Sequence, residues 1–296
     1  MVNFLDSTFI KESSWKPDLF KGKVVFVTGG SGTICRVQVE AMVLLGCKAA
    51  IVGRDNDKLE KCREEICELV PDREDVCLAI SNIDVREFSQ LEHAAKETVD
   101  KWGRIDYVIA GAAGNFICDF ANLSPNAFKS VVSIDLLGSF NTAKATLPYL
   151  LKTKGAIIFV SATFHYYGVP FQGPVGAAKA GIDALSNNLA VELGPFGVRS
   201  NCIAPGAIRD TEGFSRLSNP QYVKDLTEKI PLQRLGTKRD IAETTVFLFS
   251  PAASYVNGDI IVVDGGMWHT GTLFAEKMYP GQIVKNMEKY KDKAKL

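Results

Sequence analysis

The sequence is short of what metal and redox centres need. It has three histidines, His93, His165 and His269. None pairs at ligand spacing, so no zinc or other metal site is expected. Seven cysteines stand at Cys35, Cys47, Cys62, Cys67, Cys77, Cys118 and Cys202. The number is odd and no C-x-x-C spacing occurs, so they read as buried thiols in a reducing compartment. Net charge is also lacking: 34 Lys and Arg balance 34 Asp and Glu. That leaves no electrostatic footprint for nucleic acid. No apolar run approaches the roughly 18 residues of a membrane-spanning helix, so no membrane role is expected. Asp6, Glu12 and Asp18 speak against a signal or transit peptide at the N-terminus. A Pro/Gly/Ser linker and internal repeats are absent too, which makes one domain the expectation.

A core is well provided for, with 46% hydrophobic residues. Seven short β-branched runs recur: VVFVT (24–28), AAIVG (49–53), VCLAI (76–80), YVIAG (107–111), AIIFVS (156–161), VRSNCIA (198–204) and IIVVD (260–264). Near-continuous Val/Ile/Ala runs suit parallel strands covered on both faces. Helical patterns lie between them. Phe88, Leu91, Ala94, Ala95, Val99 and Trp102 repeat every 3.6 residues, and Ile182, Leu185, Leu189 and Leu193 form another face. The expected fold is α/β: a Rossmann-type, doubly wound, seven-stranded parallel sheet in one domain. We expect an N-terminal extension over 1–20, a dinucleotide-binding catalytic domain over 21–275 and a tail over 276–296. Residues 206–235, without strong periodicity, read as a substrate lid or a surface insertion.

The first run leads into a glycine-rich turn and a helix. Gly29, Gly30 and Gly32 let the backbone bend and approach a pyrophosphate, and the helix N-terminus offers free N–H groups to it. The strand–turn–helix context makes this more than a glycine cluster. Ser31, Thr33 and Ile34 belong to the same cofactor turn. The second run ends in Gly53-Arg54-Asp55. Arg54 can pair with a 2′-phosphate, which favours NADPH. Asp55, as an acid facing the ribose, would favour NAD. Arg54 could also be a surface partner of Asp55 or Asp57. Asp84 and Val85 are expected beside the adenine.

Taken together, TGGSGTI (28–34), GRID (103–106), GAAKAG (176–181), IAPGAI (203–208) and VVDGG (262–266) resemble the short-chain dehydrogenase/reductase family over residues 20–268. Within it, the stretch over 110–145 is similar to the peroxisomal 2,4-dienoyl-CoA reductases and resembles the fungal members. There are departures. Thr33 and Cys35 replace glycines of the family pattern, Ala110 and Gly111 replace paired asparagines, Val175 replaces the catalytic tyrosine, and Asp135 replaces a helix asparagine. The last two recur in the dienoyl-CoA reductases.

The resemblance implies NADPH-dependent reduction of 2,4-dienoyl-CoA to 3-enoyl-CoA in peroxisomal unsaturated fatty-acid β-oxidation. It makes Asp135 and Lys179 the catalytic pair, with Lys179 also on the cofactor. Burial of Asp135 in its helix would favour the neutral acid; the plainer alternative is an aspartate bonded to backbone. Pro205, Gly206, Ile208 and Thr211 are expected over the nicotinamide. Arg54, Arg86, Phe116, Ser124, Asn126 and Arg216 match substrate-contacting positions, each with a surface role as the alternative. Ser161 resembles the family's serine. Asn115, Tyr166 and Tyr167 are open as donors to the thioester oxygen, and the aromatic pair could equally be a wall of the pocket. His165 reads as a satisfied or surface histidine. Ala294-Lys295-Leu296 resembles the tripeptide read by the peroxisomal import receptor, so the peroxisomal matrix is the expected location, with a chance tripeptide the alternative. Homo-oligomerisation is also implied. Two competing readings stay open: a carbonyl reductase of the same fold, and a catalytically silent NADPH-binding scaffold.

Overall fold

The computed structural model describes residues 5, 8–11, 14–211, 214 and 220–270. Seven parallel strands form one sheet, in the order β3-β2-β1-β4-β5-β6-β7. They are β1 (Val24–Thr28), β2 (Lys48–Val52), β3 (Cys77–Ile80), β4 (Tyr107–Ala110), β5 (Ala156–Val160), β6 (Arg199–Pro205) and β7 (Ile260–Val263). Each of the seven β-branched runs is one of these strands. The helices are α1 (Thr8–Lys11), α2 (Thr33–Leu44), α3 (Asn56–Glu68), α4 (Phe88–Trp102), α5 (Pro125–Val132), α6 (Gly138–Thr153), α7 (Phe164–Tyr167) and α8 (Gly173–Leu193), then Pro220–Lys229 and Lys238–Phe249.

Side chains alternate across each strand, so one run feeds two cores. On β1, Val25 and Val27 join a layer with α2, while Phe26 joins the opposite layer with α4, α6 and α8. Local chemistry marks where helices begin. Asp55 caps α3 by accepting from the Lys58 N–H at 3.0 Å, and Ser124 caps α5 by accepting from Ala127 N–H at 3.1 Å.

Part of the stretch read as an N-terminal extension packs onto the domain. Leu5 and Phe9 are buried in the α2 layer, and the Leu5 N–H donates to buried Glu40 at 3.0 Å. Within 206–235, Leu226 and Ile230 form a small apolar cluster with Met267, and Phe214 packs against it. Arg216 and the tripeptide Ala294-Lys295-Leu296 lie outside the described residues.

The strand order reverses between β1 and β4. At such a switch point, beyond the carboxyl ends of the strands, the connections diverge and leave a crevice. The Thr28–Gly29 and Ala110–Gly111 junctions lie there.

Candidate active site

The crevice is a cleft of about 570 Å³. The glycine turn forms one wall, through Gly29, Ser31, Gly32, Thr33 and Ile34. Gly29 sits at φ +71°, and a Cβ there would lie 2.9 Å from Ala112 Cα. A Cβ on Gly30 would lie 2.7 Å from Ile51 Cβ, so Gly30 lets the turn close down on β2. Any larger residue at either position would push the turn out of the cradle. With the N-terminus of α2 opening onto it, the cradle fits the pyrophosphate of a dinucleotide.

Cys35 and Gly111 are joined across this wall. A Cβ on Gly111 would stand 2.1 Å from the Cys35 sulfur. Two departures from the family pattern therefore compensate one another: a thiol fills the space left where position 111 loses its side chain. Burial pushes the Cys35 thiol up to about 12, partly opposed by Lys179, so it acts here by bulk. Gly111→Ala should destabilise the protein by about 1–3 kcal/mol through overpacking. Cys35→Gly in the same chain should recover most of that loss. Denaturant unfolding of the two single variants and the double variant checks the pair, and additive effects would contradict it.

At the other end of the cleft, Arg54, Asp55, Lys58, Asp84 and Val85 line the wall. The Asp55 carboxylate is engaged as the α3 cap. Arg54 is exposed at the rim. Arg86 donates from Nε to both Asp84 oxygens at 2.9 and 3.1 Å, and this bond holds the Asp84 carboxyl down at about 2. The Arg86 fork is thus turned toward Asp84.

Thr211 lines the cleft and bonds the Ile208 carbonyl at 2.9 Å. Ile208 is buried and bridges to Gly236. Pro205 ends β6, and Gly206 packs so closely on Asp264 that a Cβ would lie 2.4 Å from Asp264 Cβ. Phe116 is half-buried in the loop after β4. Ser124 is the α5 cap, and Asn126 is exposed on the first turn of that helix.

Asp135 and Lys179 meet in the interior. Between α5 and α6 the chain makes one wider turn, Ser133–Leu137, in which the Gly138 N–H reaches back to Ser133. Such π-type turns recur at functional sites because they re-aim a side chain. Here the turn carries Asp135, which is 0% exposed. Its Oδ1 accepts from the Gly114 N–H at 2.7 Å, and Lys179 Nζ stands 3.3 Å from Oδ2. Lys179 also donates to the Val160 carbonyl at 2.9 Å. Ile134, next to Asp135 in the chain, and Val160, whose carbonyl Lys179 bonds, line the cleft, so the pair lies directly behind the cleft wall.

Nearby phenols are committed elsewhere. Tyr167 shares a hydrogen bond with Thr163 at 3.1 Å, and Tyr166 donates to Asp183 at 3.4 Å. Burial pushes both phenols above their ordinary range, and Asp183 adds to the effect on Tyr166. Neither is made acidic. His165 pairs with Asp183 at 2.9 Å, and Tyr166 packs edge-on against Trp268. Val175 is buried. Ser161 Oγ and Asn115 Oδ1 are buried without a hydrogen-bond partner, and Asn115 lines the cleft. Gln172, absent from the sequence reading, holds Asn115: Asn115 Nδ2 donates to Gln172 Oε1 at 2.5 Å. Its only local signal was its place just before the Gly-Pro start of α8.

Comparison with known proteins agrees with this geometry. The family model described as enoyl-(acyl carrier protein) reductase matches residues 31–268. Levodione reductase superposes with a TM-score of 0.79 at 30% identity, over 84% of this chain and 99% of that one. A 7α-hydroxysteroid dehydrogenase complexed with NADH and 7-oxo glycochenodeoxycholic acid does so with a TM-score of 0.78 at 25% identity, over 84% and 96%. The chain belongs to the short-chain dehydrogenase/reductase family, oxidoreductases whose cleft takes a nicotinamide dinucleotide. Within that family it is 69% identical to the peroxisomal 2,4-dienoyl-CoA reductase, (3E)-enoyl-CoA-producing, of Saccharomyces cerevisiae, over 97% of this chain and 98% of the relative. The Rattus norvegicus peroxisomal 2,4-dienoyl-CoA reductase is 41% identical over 86% of each chain.

Proposed function

We propose that the protein is an NADPH-dependent 2,4-dienoyl-CoA reductase producing (3E)-enoyl-CoA. The observation that carries this reading is the buried Asp135–Lys179 pair behind the cleft wall, with Val175 in the place of the family's tyrosine. An alcohol dehydrogenase handles a proton on the same oxygen whose charge changes, a task suited to a phenol beside the carbonyl. A conjugated dienoyl thioester separates the two events. The bound nicotinamide would supply a hydride to the far, δ carbon of the diene. Charge then develops at the thioester oxygen, and the proton is needed at the α carbon. Asp135 is the acid for that carbon, directly or through a water. Lys179 holds Asp135 in place and supplies a positive charge beside it.

Asn115 is the donor we assign to the thioester oxygen. It lines the cleft, it follows Gly114, whose N–H holds Asp135, and both tyrosines are engaged elsewhere. A preorganised donor at a developing oxyanion lowers the barrier by about 3–4 kcal/mol. Arg54 at the rim supports NADPH, because Asp55 is occupied as a helix cap. Arg54, Phe116, Asn126 and Arg216 remain the proposed contacts for the coenzyme A arm. Arg86 and Ser124 belong to the same set: the bonds they make here use Nε and Nη2 of Arg86 and a lone pair of Ser124, which keeps its O–H to donate. The relatives' names and the terminal Ala294-Lys295-Leu296 support delivery to the peroxisomal matrix by the import receptor. A homo-oligomer is part of the same reading.

The test is purified protein mixed with NADPH and a 2,4-dienoyl-CoA, followed by absorbance. The expected result is parallel loss of the cofactor and diene bands, much slower when NADH replaces NADPH. Turnover of ketones alone would make the protein a carbonyl reductase. No turnover of acyl-CoA or carbonyl substrates would make it a binding scaffold.

A further inference from the structure

Gln172 holds a residue of the cleft lining, Asn115, and stands at the start of the helix that carries Lys179, so it ties the cleft to the Asp135–Lys179 pair. It is 2% exposed and stands directly before α8. Its carbonyl accepts from the Gly176 N–H at 3.0 Å, inside the first turn of the helix that carries Lys179. Its side-chain oxygen accepts from Asn115 Nδ2 at 2.5 Å. Asn115 follows Gly114, whose N–H holds Asp135, and Asp135 faces Lys179. The contacts close a ring: Asp135, Gly114, Asn115, Gln172, α8, Lys179 and back to Asp135.

The backbone at this point is strained in a way that fixes Gln172. Phe171 has φ +66°, a left-handed conformation rarely adopted by a bulky side chain. Its carbonyl accepts from Cys118 N–H at 3.0 Å, a bond that holds the strained residue against the same loop that carries Asn115. Strain of this kind persists only where the surroundings over-determine it, and it concentrates at functional sites.

We propose that Gln172 is a positioning residue that sets the rotation of the Asn115 amide. An asparagine amide has two N–H donors and one acceptor. Gln172 takes one N–H, which fixes the plane of the amide. The second N–H is then set for the thioester oxygen, while Oδ1, buried and unpartnered in the structure, stays beside the cleft. Without Gln172 the amide can rotate, and the donor no longer stands where charge develops. This inference rests on the assignment of Asn115 as the thioester donor.

The experiment is a double-mutant cycle of Gln172→Met and Asn115→Ala on the full-length protein with NADPH and a 2,4-dienoyl-CoA. Methionine keeps the volume and removes the acceptor, so α8 should still fold, which thermal unfolding checks. Gln172→Met should lower kcat about 10–100-fold, the range for a misplaced catalytic donor, with NADPH affinity unchanged. In the Asn115→Ala background the same change should have almost no further effect. An equal loss in both backgrounds would overturn the proposal, as would full kcat in Gln172→Met. An Asn115→Ala variant with parental kcat would overturn it too, while leaving the reductase reading intact. Absence of dienoyl-CoA turnover by the parent protein would remove both.

Discussion

Replacing Asp135 with alanine is expected to lower kcat about 10²–10⁴-fold, the range by which a positioned general acid accelerates a reaction. NADPH binding should change little, because the glycine cradle and the Arg54 rim do not involve Asp135. The carboxyl is completely buried and held from two sides, by the Gly114 N–H and by Lys179. Bulk water therefore has no ready path to substitute for it. Asp135→Asn is the sharper variant. Its amide oxygen can still accept from Gly114, so the loop stays in place, but an amide has no acidic proton to give. Stopped-flow measurement of NADPH oxidation, with cofactor affinity measured separately, decides the matter. Parental kcat in Asp135→Asn would remove the residue from proton transfer.

The contrast between what could be read from the chain and what could not follows from the range of the interactions. β-branched runs and the 3.6-residue period are local signals, so the strands and α4 could be placed from sequence. The glycine turn was readable for the same reason, since strand, turn and helix are contiguous. The role of Cys35 was not. Its bulk makes sense only against Gly111, 76 positions away in the chain and adjacent in space. Asp135 and Lys179 stood out individually, but their contact depends on a single wide turn after α5 that no residue pattern announced. Ser124, matched to a substrate-contacting position only through the resemblance, also has a local role: it precedes the helix start at Pro125 and its side chain caps α5. Arg86 and Asp84, two positions apart, satisfied one another locally. Gln172 escaped notice because a lone glutamine carries no motif, and only the fold brings it to Asn115.

The second large effect concerns Lys179, where stability and activity should separate. Lys179 and Asp135 are 7% and 0% exposed at their side chains, so solvent screens their interaction little. Removing one member of a buried polar pair leaves the other without its partner, which costs about 3–5 kcal/mol. Lys179→Met should therefore lower Tm by roughly 5–15 °C in a chain of this size. It should also abolish measurable turnover, since the ammonium bonds the Val160 carbonyl at the cofactor wall as well as facing the acid. Combining Lys179→Met with Asp135→Asn replaces both members of the pair at once. Replacement of a whole buried pair by neutral groups is often close to neutral for stability, so the double variant should recover most of the lost Tm and none of the lost kcat. Recovery of the fold without recovery of turnover is the signature of a pair that the protein keeps for its chemistry. If the double variant were as unstable as Lys179→Met alone, the lysine would instead be holding α8 through its hydrogen bond to Val160.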